Sequence, residues 1–481
     1  MTRPAPSAAT LDRLAAVVGE RHALRGGDDM APYLVEQRNR YFGKAAMVLR
    51  PGSTEEVSRL LKIASETGTA IVPQGGNTGL VGAQTPFEHG REVVLSLGRM
   101  NRIRAIDPLD NTITVDAGCI LATVQAEADR VDRLFPLSLG AEGSCQIGGN
   151  LSSNAGGIGV LAYGNARNLV LGLEVVLADG RIWDGLRALR KDNTGYDLRD
   201  LFVGAEGTLG IITGAVLRLL PKPRDTATAF IAVPSPAAAV ALLSLASEIS
   251  GNRVTGFELM PRFGLDIVLR HVDGARDPIA GEHPWYVLME LSGGEAEGVL
   301  RGPCETVLEA GLEHELVIDA TIAESKAQSD AFWYIRFALA EFQKFEGGSI
   351  KHDVSVPVSR MPDFIEEGCT AAIDLIPGCR PLPFGHIGDG NVHFNISQPV
   401  GADTQAFLGR WEEMNDVIHS LVLSHNGSIS AEHGIGRMKS HMMAAIKSPV
   451  ELDLMRGLKR LFDPGNILNP GKLLPPEDDR P

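Results

Sequence analysis

Between Gly140 and Gly164 the chain carries eight glycines, with Ser144, Asn150, Ser152, Ser153 and Asn154 among them and almost no charge. A stretch of that kind has no apolar face to bury, so it is either a flexible linker or an ordered loop whose bare backbone lies against a ligand. Hydrophobic strand candidates bound it on the C-terminal side, Val170 to Leu177 and Arg181 to Trp183 about an Asp179-Gly180 turn, and this favours the ordered loop. A second glycine-rich loop, Gln74 to Ala83, follows the strand candidate Ala70 to Pro73. Successive exposed N–H groups in such a loop suit a pyrophosphate.

Neither loop is a familiar nucleotide signature. No Gly-Lys-Ser/Thr follows Gly79, which excludes a Walker loop, and the Gly-x-Gly-x-x-Gly spacing is missing there. Gly157 to Ala162 does match the nicotinamide fingerprint, with Asp179 at a tempting distance. The context excludes it: no strand leads in, no amphipathic helix follows, and Asp179 belongs to a hairpin turn.

The rest of the pattern mixes helix and strand. Thr10 to Val18 has helical periodicity, and Ser53 with Glu56 forms a capping-box signature ahead of an apolar face of Val57, Leu60, Leu61 and Ala64, closed by Gly68. A boundary falls at Pro221-Lys222-Pro223, after which strands alternate with helices such as Ala237 to Ile249, suggesting an antiparallel sheet with helices on one face. Four segments are expected: a helical 1–41, a cofactor domain 42–223, a substrate or cap domain 224–400, and a C-terminal 401–481 that completes the active site and the cofactor domain.

With 481 residues and 44% apolar content, the chain is long enough for two or three cored domains. A net charge of −15, no dense Lys/Arg block and 5% aromatics leave nucleic-acid binding without its electrostatic footprint or stacking platforms. Five cysteines, odd in number and with no Cys-x-x-Cys, argue against a disulfide framework and for a reducing, cytoplasmic location. Early charges interrupt any signal peptide, and Pro234 and Pro236 break the longest uncharged apolar stretch, so no transmembrane segment is expected.

Two late segments carry the chemistry. His386-Ile-Gly-Asp-Gly-Asn-Val-His393 places two imidazoles about a Gly-Asp-Gly turn that can fold them toward one point, and Ala431-Glu432-His433-Gly434-Ile435-Gly436 adds a carboxylate. His386, His393 and Glu432 are the donor types of a catalytic zinc site with an open position. His433, next to a ligand but not easily one itself, is a candidate general base. Asp389, between two glycines, reads as a turn residue.

These residues, together with Pro73-Gln74-Gly75-Gly76-Asn77-Thr78-Gly79, Gly143 to Asn150 and Arg190-Lys-Asp-Asn-Thr-Gly-Tyr-Asp-Leu198, resemble the flavin-dependent D-2-hydroxy acid dehydrogenases of the vanillyl-alcohol-oxidase type, and the Gln-Gly-Gly-Asn-Thr-Gly form is most similar to the hydroxyglutarate branch. The resemblance implies an α+β fold: a PCMH-type FAD-binding domain of two α/β subdomains, a substrate domain with a helix-covered antiparallel sheet, and a helical C-terminal segment. It implies FAD, with its pyrophosphate on the 75–79 backbone and its isoalloxazine near 143–156. The FAD is expected to be non-covalent, because residues 74–83 contain neither His nor Cys. On this resemblance the cofactor-binding residues are Pro73, Gly75, Gly76, Asn77, Thr78 and Gly79 from the first loop and Gly143, Ser144, Gly148, Gly149, Asn150, Ser153, Asn154 and Gly156 from the second. Glu206, Gly207, Ile212 and Asn469 complete the set.

The same resemblance puts the metal, expected to be Zn2+, on His386, His393 and Glu432, the base on His433, and the substrate on Arg336, Lys351 and Asn395. The family's threonine one helical turn after the arginine is Ala340 here. Arginine and lysine also suit the task by themselves, since a carboxylate in a partly dry pocket needs a cation and arginine clamps it bidentately. The expected reaction is oxidation of a D-2-hydroxy acid, D-2-hydroxyglutarate foremost, by proton abstraction and hydride transfer to flavin N5. D-lactate, glycolate or D-malate dehydrogenation is the near alternative; a zinc hydrolase and a non-catalytic flavin scaffold are the distant ones. Expected partners are the small 2-hydroxy carboxylate and an electron acceptor such as an electron-transferring flavoprotein or a quinone, with homodimerisation left open.

Overall fold

A computed structural model describes residues 4–475. Two compact units divide the chain. Of the described residues, the first takes 4–156, Asn165–Pro221 and 433–475; the second takes Gly157–Gly164 and Lys222–Glu432. Residues 401–432 thus fold with the second unit and 433–475 with the first.

The first unit holds two sheets. In one, Ala45–Leu49, Glu92–Ser96 and Ile71–Gln74 run parallel, with Ala23–Leu24 as an antiparallel edge. Helix Thr54–Thr67 belongs to this part because Val57, Leu60, Leu61 and Ala64 are fully buried, each larger side chain contributing about 1.5–3 kcal/mol. The Ser53 hydroxyl accepts the Glu56 N–H at 3.2 Å, but the Glu56 carboxylate reaches back to the Gly52 N–H at 2.7 Å, not to Ser53 as a capping box would have it. In the second sheet five antiparallel strands run in the order Ile103–Asp107, Thr112–Asp116, Ile211–Arg218, Val170–Val176, Ile182–Gly185. Asp179 sits in the turn of the last hairpin and accepts the Arg181 N–H, so its turn role is the one observed.

The C-terminus returns to the first sheet. After helix Pro449–Phe462, which starts with a complete Ser448–Glu451 capping box, Asp463 accepts the N–H groups of Ile467 and Leu468. Leu468 then bridges in parallel to Ile71, beside the strand that feeds the first glycine loop.

The second unit is a seven-stranded antiparallel sheet in the order Asp319–Ile322, Asp225–Val233, Trp285–Gly293, Val254–Pro261, Arg380–His386, Asn391–Ser397, Ser349–Ser355. On one face Phe230, Ala232, Tyr286, Leu288, Leu382 and Phe384 pack with Leu265 and Leu339 of helices Arg262–His271 and Lys326–Phe342. Their alternate neighbours Ile231, Val233 and Val287 are equally buried, and helix Pro236–Ser250 packs on the same strands. The sheet is therefore covered on both faces, and the expectation of helices on one face is corrected. Continuous apolar runs such as Ala229 to Val233 mark strands buried on both sides.

Candidate functional site

In the second unit, strand register builds a polar patch inside an otherwise apolar face. Glu258 lies opposite His386, Phe384 opposite His393, His393 opposite Asp353, and Asn395 opposite both Leu382 and Lys351. Directly opposed residues and every second residue share a face. Glu258, His386, His393, Asp353, Asn395 and Lys351 consequently point to one side of the sheet. The Ile387–Gly390 turn joins the two histidine strands, with Asp389 accepting the Asn391 N–H at 3.1 Å. Gly390 has φ +88°, and a Cβ there would stand 2.3 Å from the Val356 carbonyl oxygen, so the turn requires glycine.

His386, His393 and Glu432 are brought together: one ligand atom from each lies within 4.8 Å of the others. The His386 and His393 rings are 5.4 Å apart, and His393 Nε2 is 3.8 Å from Glu432 Oε1. Asp353 Oδ2 accepts the Glu432 N–H at 3.0 Å while its Oδ1 accepts from Asn391 Nδ2. Burial pushes the Glu432 carboxyl up, and Asp353 adds to it, to about 7. Burial lifts Asp389 to about 6 as well. Carboxylates crowded into a buried patch, beside two imidazoles, form a donor set that fits a divalent cation.

Arg336 comes from helix Lys326–Phe342 and is 4% exposed. Its guanidinium lies 5.0 Å above the Phe384 ring, and its Nε donates to Glu258 Oε2 at 2.7 Å. Glu258 Oε1 meets His386 Nδ1 at 2.6 Å. Burial works to raise Glu258, but the charges of His386 and Arg336 and their hydrogen bonds hold it down at about 2. Burial likewise opposes protonation of His386, yet Glu258 raises it to about 9. Asn395 donates to Gln343 Oε1 at 2.8 Å, and Gln343 in turn donates to Ser397. Lys351 is half-buried opposite Asn395. Ala340, one turn beyond Arg336, is exposed.

The first unit contains a cavity walled by the two glycine-rich loops, the concave form that small-molecule and cofactor sites take. Pro73, Gly75, Gly76, Asn77, Thr78, Gly79, Gly148, Gly149, Asn150, Ser153, Glu206, Gly207, Ile212 and Asn469 line it, as does His433. Gly143, Ser144, Asn154 and Gly156 do not: Gly143 and Ser144 are exposed, and the Asn154 side chain accepts the Arg167 N–H. Gln74, Leu97, Gln146 and Ser152 line it too, although they were not among the expected cofactor-binding residues. A Cβ on Gly149 would meet no protein atom within 4 Å, so its absence leaves a bare cradle for a ligand, as an extended dinucleotide needs. Asn469 ties the walls together by donating to the carbonyls of Ala83 and Glu206.

His433 belongs to this unit, and the residues after it are held firmly. Ile435 and Gly436 donate their N–H groups to Glu206 at 2.7 and 2.8 Å, and Arg437 and Met438 donate to the Val81 carbonyl. The Arg190 to Leu198 motif forms an exposed loop away from the cavity lining. Glu258, Asp353 and Gln343 escaped the sequence reading because each lies far along the chain from the residue it serves, and only strand register or helix packing joins them.

Known proteins match both units. Residues 45–185 match the FAD binding domain family and residues 222–473 the family of FAD linked oxidases, C-terminal domain. A D-2-hydroxyglutarate dehydrogenase of Arabidopsis thaliana is 38% identical over 95% of this chain and 80% of its own length. The Bos taurus enzyme of that name is 37% identical over 93% and 80%. A Schizosaccharomyces pombe protein named as a D-lactate dehydrogenase is 37% identical over 92% and 84%. Among solved structures, p-cresol methylhydroxylase covers 98% of this chain and 97% of its own at 17% identity, with a TM-score of 0.76, which shows the shared fold.

All three relatives are designated mitochondrial, and this overturns the cytoplasmic expectation. Cysteine usage separates oxidising from reducing compartments but does not tell one reducing compartment from another. Among the described residues no helix is long and apolar enough to cross a membrane. Matched along nearly its whole length, the chain is an FAD-dependent oxidoreductase and belongs to the D-2-hydroxy acid dehydrogenases of the vanillyl-alcohol-oxidase type.

Proposed function

We propose that this enzyme oxidises D-2-hydroxyglutarate to the 2-oxo acid, using FAD and a divalent metal. The observation that carries this reading is the register that gathers two imidazoles, a lysine and an asparagine on one sheet face, with Arg336 packed over it and Glu432 among the donors. The names of the relatives from Arabidopsis and cattle support the substrate.

FAD, when bound in the glycine-lined cavity, supplies the acceptor for two electrons and the C2 hydrogen. Zn2+ or a similar ion, when held by His386, His393 and Glu432, supplies Lewis-acid stabilisation of the substrate oxygen. Arg336 clamps the C1 carboxylate, Asn395 contributes a polar contact, and Lys351 takes the distal carboxylate that marks a diacid. His433 accepts the hydroxyl proton on an imidazole nitrogen. The roles of the loop residues are backbone contact and exclusion of water from the cofactor.

D-lactate is the second reading, favoured by the name of the S. pombe relative and by Ala340, which offers no polar atom next to Arg336. Steady-state kinetics across D- and L-hydroxyglutarate, lactate, malate and glycolate test the proposal: kcat/KM is expected to be highest for D-2-hydroxyglutarate, and a higher value for D-lactate would reverse the assignment. Loss of turnover in His433→Ala with FAD and metal retained is expected from the base role.

A further inference from the structure

We infer that Glu258 is a positioning residue that serves the metal site and the substrate site with a single carboxylate. This rests on the functional reading above. Glu258 is 1% exposed and sits on strand Val254–Pro261, opposite His386 in the register. One oxygen meets His386 Nδ1 at 2.6 Å and the other accepts Arg336 Nε–H at 2.7 Å.

Each bond has a consequence for the partner's free atoms. A carboxylate can only accept, so the neutral His386 imidazole that a cation binds carries its proton on Nδ1 and offers the lone pair of Nε2. On the arginine, engagement through Nε leaves both terminal nitrogens of the fork to meet a carboxylate bidentately. Phe384 lies beneath the guanidinium at 5.0 Å. Glu258 therefore selects the tautomer of a metal ligand and the orientation of an anion clamp at once.

Glutamine at this position has one accepting oxygen and one donating nitrogen, so if it accepts from Arg336 it can only donate to His386 Nδ1, which moves the imidazole proton to Nε2 and blocks the nitrogen meant for the cation. Aspartate keeps the charge but is one methylene too short to span both partners. For flavin-loaded protein without substrate, competition with a chromophoric chelator is expected to show about 10–100-fold weaker zinc binding in Glu258→Gln. KM for D-2-hydroxyglutarate is expected to rise roughly tenfold, as for loss of one charge-assisted hydrogen bond. Glu258→Asp should lose part of both with flavin content unchanged, a split that general damage to the fold does not produce.

A measurement on the unsubstituted enzyme stands apart from any folding defect. With 15N-labelled histidine in the zinc-loaded protein, the imidazole resonance that disappears in His386→Asn should show a protonated Nδ1 and a metal-bound Nε2. Coordination through Nδ1 would overturn the inference, as would zinc affinity and KM within twofold of wild type in both variants. Wild-type protein that takes up no divalent metal and oxidises no hydroxy acid would sink the functional reading and this inference together; a wild type that does both separates the two.

Discussion

The Glu206 carboxylate accepts the backbone N–H of Gly436 at 2.8 Å, and through it the cofactor cavity wall grips the segment that follows His433. Gly436 has φ +54°, and a Cβ there would stand 2.3 Å from the Val81 carbonyl oxygen, so the close approach requires glycine. Burial pushes the Glu206 carboxyl up, while the N–H groups of Ile435 and Gly436 work against it.

Removing that grip should loosen the segment bearing His433. Glu206→Ala leaves two N–H groups without their acceptor and is expected to cost about 1–3 kcal/mol. Thermal unfolding together with flavin content after gel filtration measures it, and a variant as stable and as yellow as wild type would contradict the assignment.

The open space at Gly149 gives a sharper test of where the flavin lies. Gly149→Val adds a side chain that meets no protein atom at its Cβ, so the protein should fold. The added group occupies the cradle, and the purified variant is expected to be colourless, with a far-ultraviolet circular dichroism spectrum like that of wild type. Full flavin content would place the cofactor elsewhere.

If Lys351 takes the distal carboxylate, as proposed, it should separate diacids from monoacids. In Lys351→Met the KM for D-2-hydroxyglutarate should rise about tenfold or more, the equivalent of about 1.4 kcal/mol, while KM for D-lactate changes little. Equal effects on both acids would remove the lysine from the distal end of the substrate.

Acid stability should depend on the Asp116–Arg104–Glu174 cluster of the five-stranded sheet. Burial tends to raise Asp116, but hydrogen bonds from Arg104 at 2.6 Å and Arg102 at 3.0 Å hold its carboxyl below the ordinary range, and Arg104 does the same for Glu174. A folded-state pKa below the unfolded one gives stability that is present above about pH 4 and is lost as pH falls through the folded value. Asp116→Asn should lower the melting temperature at pH 7 and flatten its decline below pH 4; an unchanged acid limb would contradict this.

What the sequence disclosed followed from distance along the chain. His386 and His393 flank one turn, so their convergence was legible from glycine spacing alone. The capping serine and buried face of helix Thr54–Thr67 were legible for the same reason. Glu258 was not: it lies 128 residues from His386 and looks like any residue of an apolar strand until register sets the two opposite each other. The glycine loops were recognisable as cradles, yet sequence could not tell Gly149, which faces the cavity, from Gly143, which faces solvent. Helices on both faces of the large sheet were missed because short apolar runs do not reveal how many sides are covered.

The most direct test of the central claim is anaerobic mixing of the flavin-loaded enzyme with D-2-hydroxyglutarate while flavin absorbance is followed, before and after chelation. Rapid bleaching is expected with the D acid and not the L acid, with its loss on metal removal and its return when zinc is restored. Flavin that stays oxidised with every D-2-hydroxy acid in the metal-loaded enzyme would contradict it.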